Sequence, residues 1–178
     1  MANWLHVQFY LVHIHLTNCL ANALGQDIVS RGLRRLLFRA LGVRIGRASV
    51  IDGGGYIYGN QLVIGRRCFI NRSCYFDLTD MVTIGDDVEI GHGVTFITAT
   101  HRVGPRSRRA GQVTGQPIVV GNGAWVGANA TLLPGVTIGS GSIVAAGALV
   151  AEDVAENVVV AGVPARHVRE LISNEAHV

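Results

Sequence analysis

Aliphatic residues recur every six positions along most of this chain. In the C-terminal half the series runs without a slip through Val120, Val126, Leu132, Ile138, Val144 and Val150. Three earlier runs keep the same spacing: Ile45, Ile51 and Ile57, then Ile64, Ile70 and Phe76, then Ile84, Ile90 and Phe96. An α-helix would need a period of about 3.6 and a plain strand a period of about two, so neither accounts for the series. The unit of six predicts a short strand followed by a tight turn, in which Gly, Asn and Asp tolerate positive φ.

A second set of small or β-branched residues stands four places after the aliphatic positions. Its members are Cys68, Cys74, Val88, Val94, Thr100, Ala124, Ala130, Val136, Ser142, Ala148 and Val154. A single unit of six cannot bury its own apolar side, so we expect the units to stack around a core of aliphatic columns. On this pattern we interpret Cys68 and Cys74 as core residues and not as redox groups.

The period breaks between Phe96 and Val120. Residues 102–117 hold three Gly, two Pro and four Arg but no aliphatic repeat. This composition predicts a loop that leaves the stack and returns to it in register. Long loops on a rigid scaffold often carry binding residues, and His101 stands directly before this one.

Both ends of the chain depart from the repeat. Residues 28–41 predict an amphipathic helix whose arginines lie away from the apolar face. The apolar residues near one face are Ile28, Val29, Leu33, Leu36, Leu37 and Leu41. Two interpretations stay open for it: a cap, because the open end of a β-stack has to be covered, or a cationic helix lying on a membrane. After the last unit, residues 164–177 predict a short helix that packs back on the stack.

Composition and charge exclude several classes of protein. With 49% hydrophobic and 15% charged residues, the chain lies outside the disordered class despite its 23 Gly. A net charge of +3, carried by arginines in clusters, falls short of a nucleic-acid-binding face. Three cysteines without a CxxC pair favour a reducing cytoplasm over a disulfide framework. The first residues show no signal peptide, and polar residues interrupt them too often for a membrane span.

Four stretches carry a resemblance to a known family: FINRSCYFD, VTIGDDVEIGHGVTFITATH, QPIVVGNGAWVGANATLLPGVTIG and AGVPAR. In order and spacing the sequence resembles the hexapeptide-repeat acyltransferases, in the branch of maltose, galactoside, nodulation-factor and polysaccharide O-acetyltransferases. The resemblance implies an all-β fold, a left-handed parallel β-helix of about five coils over residues 44–155. Residues 1–43 would then form an N-terminal helical segment, and residues 156–178 a tail with the short helix.

The resemblance also implies the chemistry. His101 matches the catalytic histidine of the family, and a hydroxyl needs a base that titrates near neutrality to attack a thioester. Asn71 matches an asparagine that hydrogen-bonds ligand in the acceptor cleft. The implied acyl donor is acetyl-coenzyme A (acetyl-CoA), held between subunits of a homotrimer without a metal. The implied acceptor is a hydroxyl of a sugar or polysaccharide precursor.

Further residues match coenzyme-binding positions of the family. Trp125 matches a tryptophan that lines the coenzyme slot. Ala128 and Ala146 match positions that present backbone N–H groups to the coenzyme. Arg166 and Arg169 follow the AGVP stretch, as do the basic residues that meet the coenzyme phosphates in relatives.

The chain also departs from the family at the expected coenzyme site. Many relatives have a Thr-Lys pair where this chain has Ala151 and Glu152, so a hydroxyl is lost and an anion replaces a cation. We expect weaker binding of the phosphate end of the coenzyme. Arg102 and the three further arginines of the loop are either a solvated cluster or an attraction for an anionic acceptor.

Three other functions stay open. The same base beside a thioester would serve N-acetylation of an amino sugar or a nucleotide sugar. A non-catalytic scaffold is a second alternative; a metal-dependent member would need three histidines across neighbouring coils, and only His92 and His101 lie there. A peripheral module that contacts the inner face of the membrane through residues 1–41 is the third.

Overall fold

The computed structural model describes residues 2–25 and 27–172. Two helices, α1 (Ala2–Ala23) and α2 (Ile28–Ala40), precede a long series of short strands. The strands are β1 (Arg44–Ile45), β2 (Val50–Ile51), β3 (Tyr56–Tyr58), β4 (Leu62–Ile64), β5 (Phe69–Ile70), β6 (Tyr75–Asp77), β7 (Val82–Ile84), β8 (Glu89–Ile90), β9 (Thr95–Ile97), β10 (Ala99–Val103), β11 (Ala110–Gly115), β12 (Ile118–Val120), β13 (Trp125–Val126), β14 (Thr131–Leu132), β15 (Thr137–Ile138), β16 (Ile143–Val144), β17 (Leu149–Val150), β18 (Val158–Gly162) and β19 (Ala165–Glu170).

The strands stack into three parallel sheets, and each coil of the chain adds one strand to each sheet. The first sheet runs β1-β4-β7-β12-β15, the second β2-β5-β8-β13-β16-β18 and the third β3-β6-β9-β14-β17. This architecture confirms the predicted left-handed β-helix. Five complete coils are followed by the start of a sixth, in which Val154 pairs with Ile138 and β18 pairs with β16.

The aliphatic columns form the core, as the repeat predicts. Each of the aliphatic positions from Ile45 to Val150 is buried, with at most 6% of its surface exposed. The residues four places later are buried too, except Thr100, where the chain has already left the coil and pairs with Thr114. Cys68 and Cys74 lie in the core, and burial raises the pKa of the Cys74 thiol to about 11.

The glycines that directly follow the aliphatic residues are not the turn residues with positive φ that the repeat predicted. Positive φ occurs two residues later in the turns, for example at Ala48 and Arg67. A Cβ on Gly46 would lie only 2.2 Å from the carbonyl oxygen of Gly65, and one on Gly65 only 2.3 Å from that of Gly85. These glycines are therefore needed because adjacent coils approach too closely for a side chain.

The two helices cover the open edge of the first coil with polar side chains. The amide of Asn18 accepts a hydrogen bond from the Ile57 N–H (2.8 Å) and donates one to the Ile57 carbonyl (2.9 Å), as a neighbouring strand would. Arg34 of α2 is fully buried and donates to the carbonyls of Ile51 and Ala21. Backbone groups of Ile51 and Ile57 therefore keep hydrogen-bond partners without a preceding coil.

The face that α2 turns toward the coil differs from the predicted apolar face. Arg34 and Phe38 point inward and are buried, whereas Ile28 and Leu36 are 86% and 64% exposed. Of the predicted face, Leu41 at the end of the helix is buried. Within the described residues, neither helix combines the length and the apolar character that crossing a bilayer requires.

The predicted short helix over residues 164–177 is wrong as far as the structure describes that segment. Residues 165–170 form β19, which pairs antiparallel with β18 on the second sheet. β18 would otherwise present an unpaired strand edge, and Gly162, at φ +102°, lets the chain fold back to cover it. The prediction for residues 173–177 lies outside the described residues.

Candidate active site

His101 lies near the base of a β-hairpin that leaves the third coil. The hairpin consists of β10 and β11, and His101 pairs with Val113 across it. The imidazole is exposed, and its Nδ1 lies 2.9 Å from the carbonyl oxygen of Gly111. Because a carbonyl only accepts hydrogen bonds, Nδ1 of the neutral ring carries the proton. Nε2 then keeps its lone pair, and in the described part of the chain it has no hydrogen-bond partner.

The hairpin itself is strongly basic. The chain contains no acidic residue from Gly91 to Ala151, and the hairpin holds Arg102, Arg106, Arg108 and Arg109. All four arginines are exposed, and among the described residues none is paired with a carboxylate. The arm of the hairpin is therefore positive, whereas two carboxylates lie at its base: Asp77, which accepts a hydrogen bond from the Ala99 N–H at 3.1 Å, and Asp80, beside Gly115.

Asn71 lies on a different edge of the β-helix. In the second to fifth coils, the turns that join the second sheet to the third form what we call the Asn71 edge (residues 71–74, 91–94, 127–130 and 145–148). The side-chain oxygen of Asn71 accepts a hydrogen bond from the Arg72 N–H at 2.8 Å, so its NH₂ group stays available. His92 of the next coil lines the same shallow depression as Asn71 and Arg72.

Ala128 and Ala146 stack above Arg72 and His92 on this edge. A Cβ on Gly91 would lie 2.5 Å from the nitrogen of Ala128, and one on Gly127 would lie 2.5 Å from that of Ala146. The N–H groups of both alanines make no hydrogen bond to any described residue. Since coils repeat at about 4.8 Å, they form a short column of free donors.

Sequence reasoning did not include His92 or Arg72 among the candidate site residues. Both stand two places after a core aliphatic residue, at the same point of the repeat as Ala128 and Ala146. Equal positions in successive units lie above one another in a β-helix, so this spacing was a usable signal.

His101, Ala151 and Glu152 lie on the turns that lead from the third sheet to the first. We call this the His101 edge (residues 78–81, 98–117, 133–136 and 151–153). The carboxylate of Glu152 lies 3.3 Å from the guanidinium of Arg166, and both side chains are exposed. Glu152 therefore partly neutralises Arg166, which the resemblance assigns to binding of coenzyme phosphate.

Trp125 and Arg169 lie on the second sheet. Trp125 points outward from β13, with 53% of its surface exposed. Strand register places Ile143, Val159 and then Arg169 beyond it on the same face of the sheet. A flat apolar ring and a guanidinium thus face the same side of the molecule.

The structure does not bring Asn71 and His101 together within one chain. Asn71 follows β5 at one end of the third sheet, whereas His101 follows β9 at the other end. A site that uses both side chains needs a second chain. Among the described residues no cluster of three or more His, Cys, Asp or Glu is suited to hold a metal.

Comparison with known proteins gives three sets of matches. A family model described as bacterial transferase hexapeptide (six repeats) matches residues 117–152. Galactoside O-acetyltransferase of Escherichia coli K12 is 40% identical over 84 residues, which make up 47% of this chain and 41% of that enzyme. The match therefore spans less than half the length of this curated relative.

Solved structures match over nearly the whole chain. A hexapeptide-repeat acetyltransferase from Vibrio cholerae has a TM-score of 0.85 and 31% identity, with 94% of each chain covered; it has also been solved with acetyl-CoA. A galactoside acetyltransferase in complex with coenzyme A has a TM-score of 0.86 and 31% identity, covering 96% of this chain and 85% of the other.

Proposed function

Because this chain belongs to the hexapeptide-repeat acetyltransferases, we propose that it transfers the acetyl group of acetyl-CoA to a hydroxyl of a sugar or polysaccharide precursor. The observation that supports this most directly is the geometry of His101. Its Nδ1 is tied to the Gly111 carbonyl, while Nε2 lies at the surface without a hydrogen-bond partner among residues 2–25 and 27–172. This arrangement is what a general base requires.

His101 acts in both halves of the reaction. Its Nε2 takes the proton of the acceptor hydroxyl while the oxygen attacks the carbonyl carbon of the thioester. The tetrahedral intermediate then breaks its carbon–sulfur bond, and His101 returns the proton to the departing thiolate. The ester and the free thiol of coenzyme A are the products, so no covalent enzyme intermediate is needed. Direct transfer also needs no metal.

The coenzyme lies along the column of free N–H groups. Ala128 and Ala146 present donors one coil apart, which suits the amides of the pantetheine arm. Trp125 offers its exposed ring to the same ligand, and Arg166 and Arg169 meet its phosphates.

Each active site is completed by two chains of a homotrimer. The Asn71 edge and the His101 edge belong to opposite ends of the third sheet. In a cyclic trimer, the hairpin of one chain reaches the Asn71 edge of its neighbour. Two strongly exposed valines on the hairpin, Val103 at 85% and Val113 at 53%, support such a contact.

A thiol-release assay with acetyl-CoA and a panel of sugars, amino sugars and glycolipids tests the proposal. His101→Ala is expected to lose activity by about 10²- to 10⁴-fold with an unchanged circular dichroism spectrum. His13→Ala removes an exposed imidazole from α1 and serves as the matched control. A His101→Ala enzyme that turns over at the wild-type rate would refute the mechanism. Turnover of amino sugars alone would favour N-acetylation.

A further inference from the structure

The two capping helices, which contact each other, carry an apolar surface that faces away from the β-helix. We call it the outer helical face; it consists of Phe9, Val12, Leu16 and Leu20 on α1 and of Ile28, Val29, Leu33 and Leu36 on α2. Their exposed fractions range from 46% at Leu33 to 86% at Ile28. So many large apolar side chains in solvent on two adjacent helices indicate a binding surface.

This surface is not needed for the cap. α1 contacts the coil through Ile14, Asn18 and Ala21, which are buried, and these lie on the side of the helix opposite Leu16. α2 contacts it through Arg34 and Phe38, opposite Leu36. The helices thus bury polar anchors on the coil and leave aliphatic side chains outside. Both helices cover the same edge of the first coil, so their outer sides point away from the same end of the molecule.

Arginines outnumber acids around this surface: α2 carries four, against Asp27 at its N-terminus and Asp52, which pairs with Arg31 at 2.9 Å. α1 has no Asp, Glu, Lys or Arg, and the charged residues of α2 are all arginines. The nearest acid in sequence, Asp27, caps α2 and is held by Ser30 at 2.6 Å. Arg35 at the rim has no carboxylate partner in the part of the chain that the structure describes.

From this geometry we infer that the outer helical face docks the protein onto an anionic lipid bilayer, with α1 and α2 lying in the plane of the interface. The apolar side chains would contact the acyl chains, and the flanking arginines would contact the lipid phosphates. A second copy of the chain fits less well, because two such faces would bring together two surfaces of net positive charge.

Vesicle flotation of the full chain, without acetyl-CoA or acceptor, tests the inference. We expect binding to vesicles of equal parts phosphatidylcholine and phosphatidylglycerol, and at least about tenfold weaker binding to phosphatidylcholine alone. Leu16→Gln/Leu36→Gln should lower the partition coefficient at least about tenfold. The matched control is Val168→Gln/Ile172→Gln, which alters two residues of similar exposure at the other end of the chain and should bind as the wild type does.

A charge variant separates the lipid headgroup from non-specific attraction. Arg35→Gln should weaken binding to the anionic vesicles about fivefold, more than Arg106→Gln on the hairpin, which removes the same charge elsewhere. The inference is overturned if the wild type does not float, or if Leu16→Gln/Leu36→Gln floats equally well. It is also overturned if that variant changes the molar mass in light scattering, since the face would then join copies of the chain. Because no turnover is measured, these outcomes are independent of the proposed function.

Discussion

At the scale of single residues, the exposed pair of Glu152 and Arg166 bears most directly on the proposed binding of the coenzyme. The carboxylate lies 3.3 Å from a guanidinium that we assign to coenzyme phosphate. An exposed pair of this kind contributes little to stability because solvent screens it. Its main effect is therefore on the potential that an incoming phosphate meets.

Glu152→Lys should lower the KM for acetyl-CoA about fivefold and leave kcat unchanged, because it frees Arg166 and adds a second cation. Initial rates at several salt concentrations measure this, and the gain should shrink as ionic strength rises. Glu156→Lys makes the same charge change at an exposed carboxylate that has no contact with Arg166. An equal gain in that control would show that net charge alone is responsible.

At the scale of elements, α1 and α2 cover the outer side of the first coil, where no preceding coil pairs with its strands. Repeat proteins need terminal units whose outer side differs from that of the interior units. Here the side-chain amides and guanidinium groups of the helices cover the edge strands by hydrogen bonding to their backbone. The most direct case is Asn18, which binds both the N–H and the C=O of Ile57. The cap therefore depends on buried hydrogen bonds more than on apolar contact.

Asn18→Leu should destabilise the protein by about 1–3 kcal/mol, because the N–H and C=O of Ile57 would lose their partners in a buried setting. Thermal unfolding at one fixed protein concentration measures the change, since association would otherwise shift the midpoint. Asn60→Leu alters an exposed asparagine whose side-chain oxygen accepts a hydrogen bond from the Tyr10 hydroxyl, and should cost less than about 0.5 kcal/mol. Equal losses in the two variants would contradict the role assigned to Asn18.

At the scale of the whole molecule, the two edges of one β-helix hold complementary halves of the proposed site. The base is at one end of the third sheet, and the Asn71 depression with its column of N–H groups is at the other. Rotational symmetry lets one surface of each chain meet a different surface of the next. Activity should therefore belong to the assembly and not to the single chain.

A subunit-mixing experiment tests this arrangement. His101→Ala and Asn71→Ala should each be almost inactive alone. After they are unfolded and refolded together in equal amounts, about a quarter of the sites should combine an intact His101 with an intact Asn71 from the neighbour. Recovery of about a quarter of the wild-type rate is expected. No recovery, or a fully active monomer by light scattering, would exclude a site shared between chains.

The sequence by itself determined the repeat fold, because its chemistry is local and periodic. The core positions of the six-residue series, from Ile45 to Val150, could be read from spacing alone, since each unit makes the same contacts as the unit above it. The break in that spacing likewise located the segment that leaves the coil after Phe96. The short C-terminal helix was wrong because residues 165–170 pair with an open strand edge, and no local pattern reveals that edge.

Only the tertiary structure decided where the candidate site residues stand relative to one another. Asn71 and His101 are thirty residues apart in sequence and occupy different edges, because an edge is set by the count of strands between them. The sequence also could not determine which side of α2 faces the coil. Its helical pattern identifies an apolar face, but Arg34 turns a different side inward because its guanidinium binds backbone carbonyls there. Long-range partners of this kind are selected only once the chain has folded.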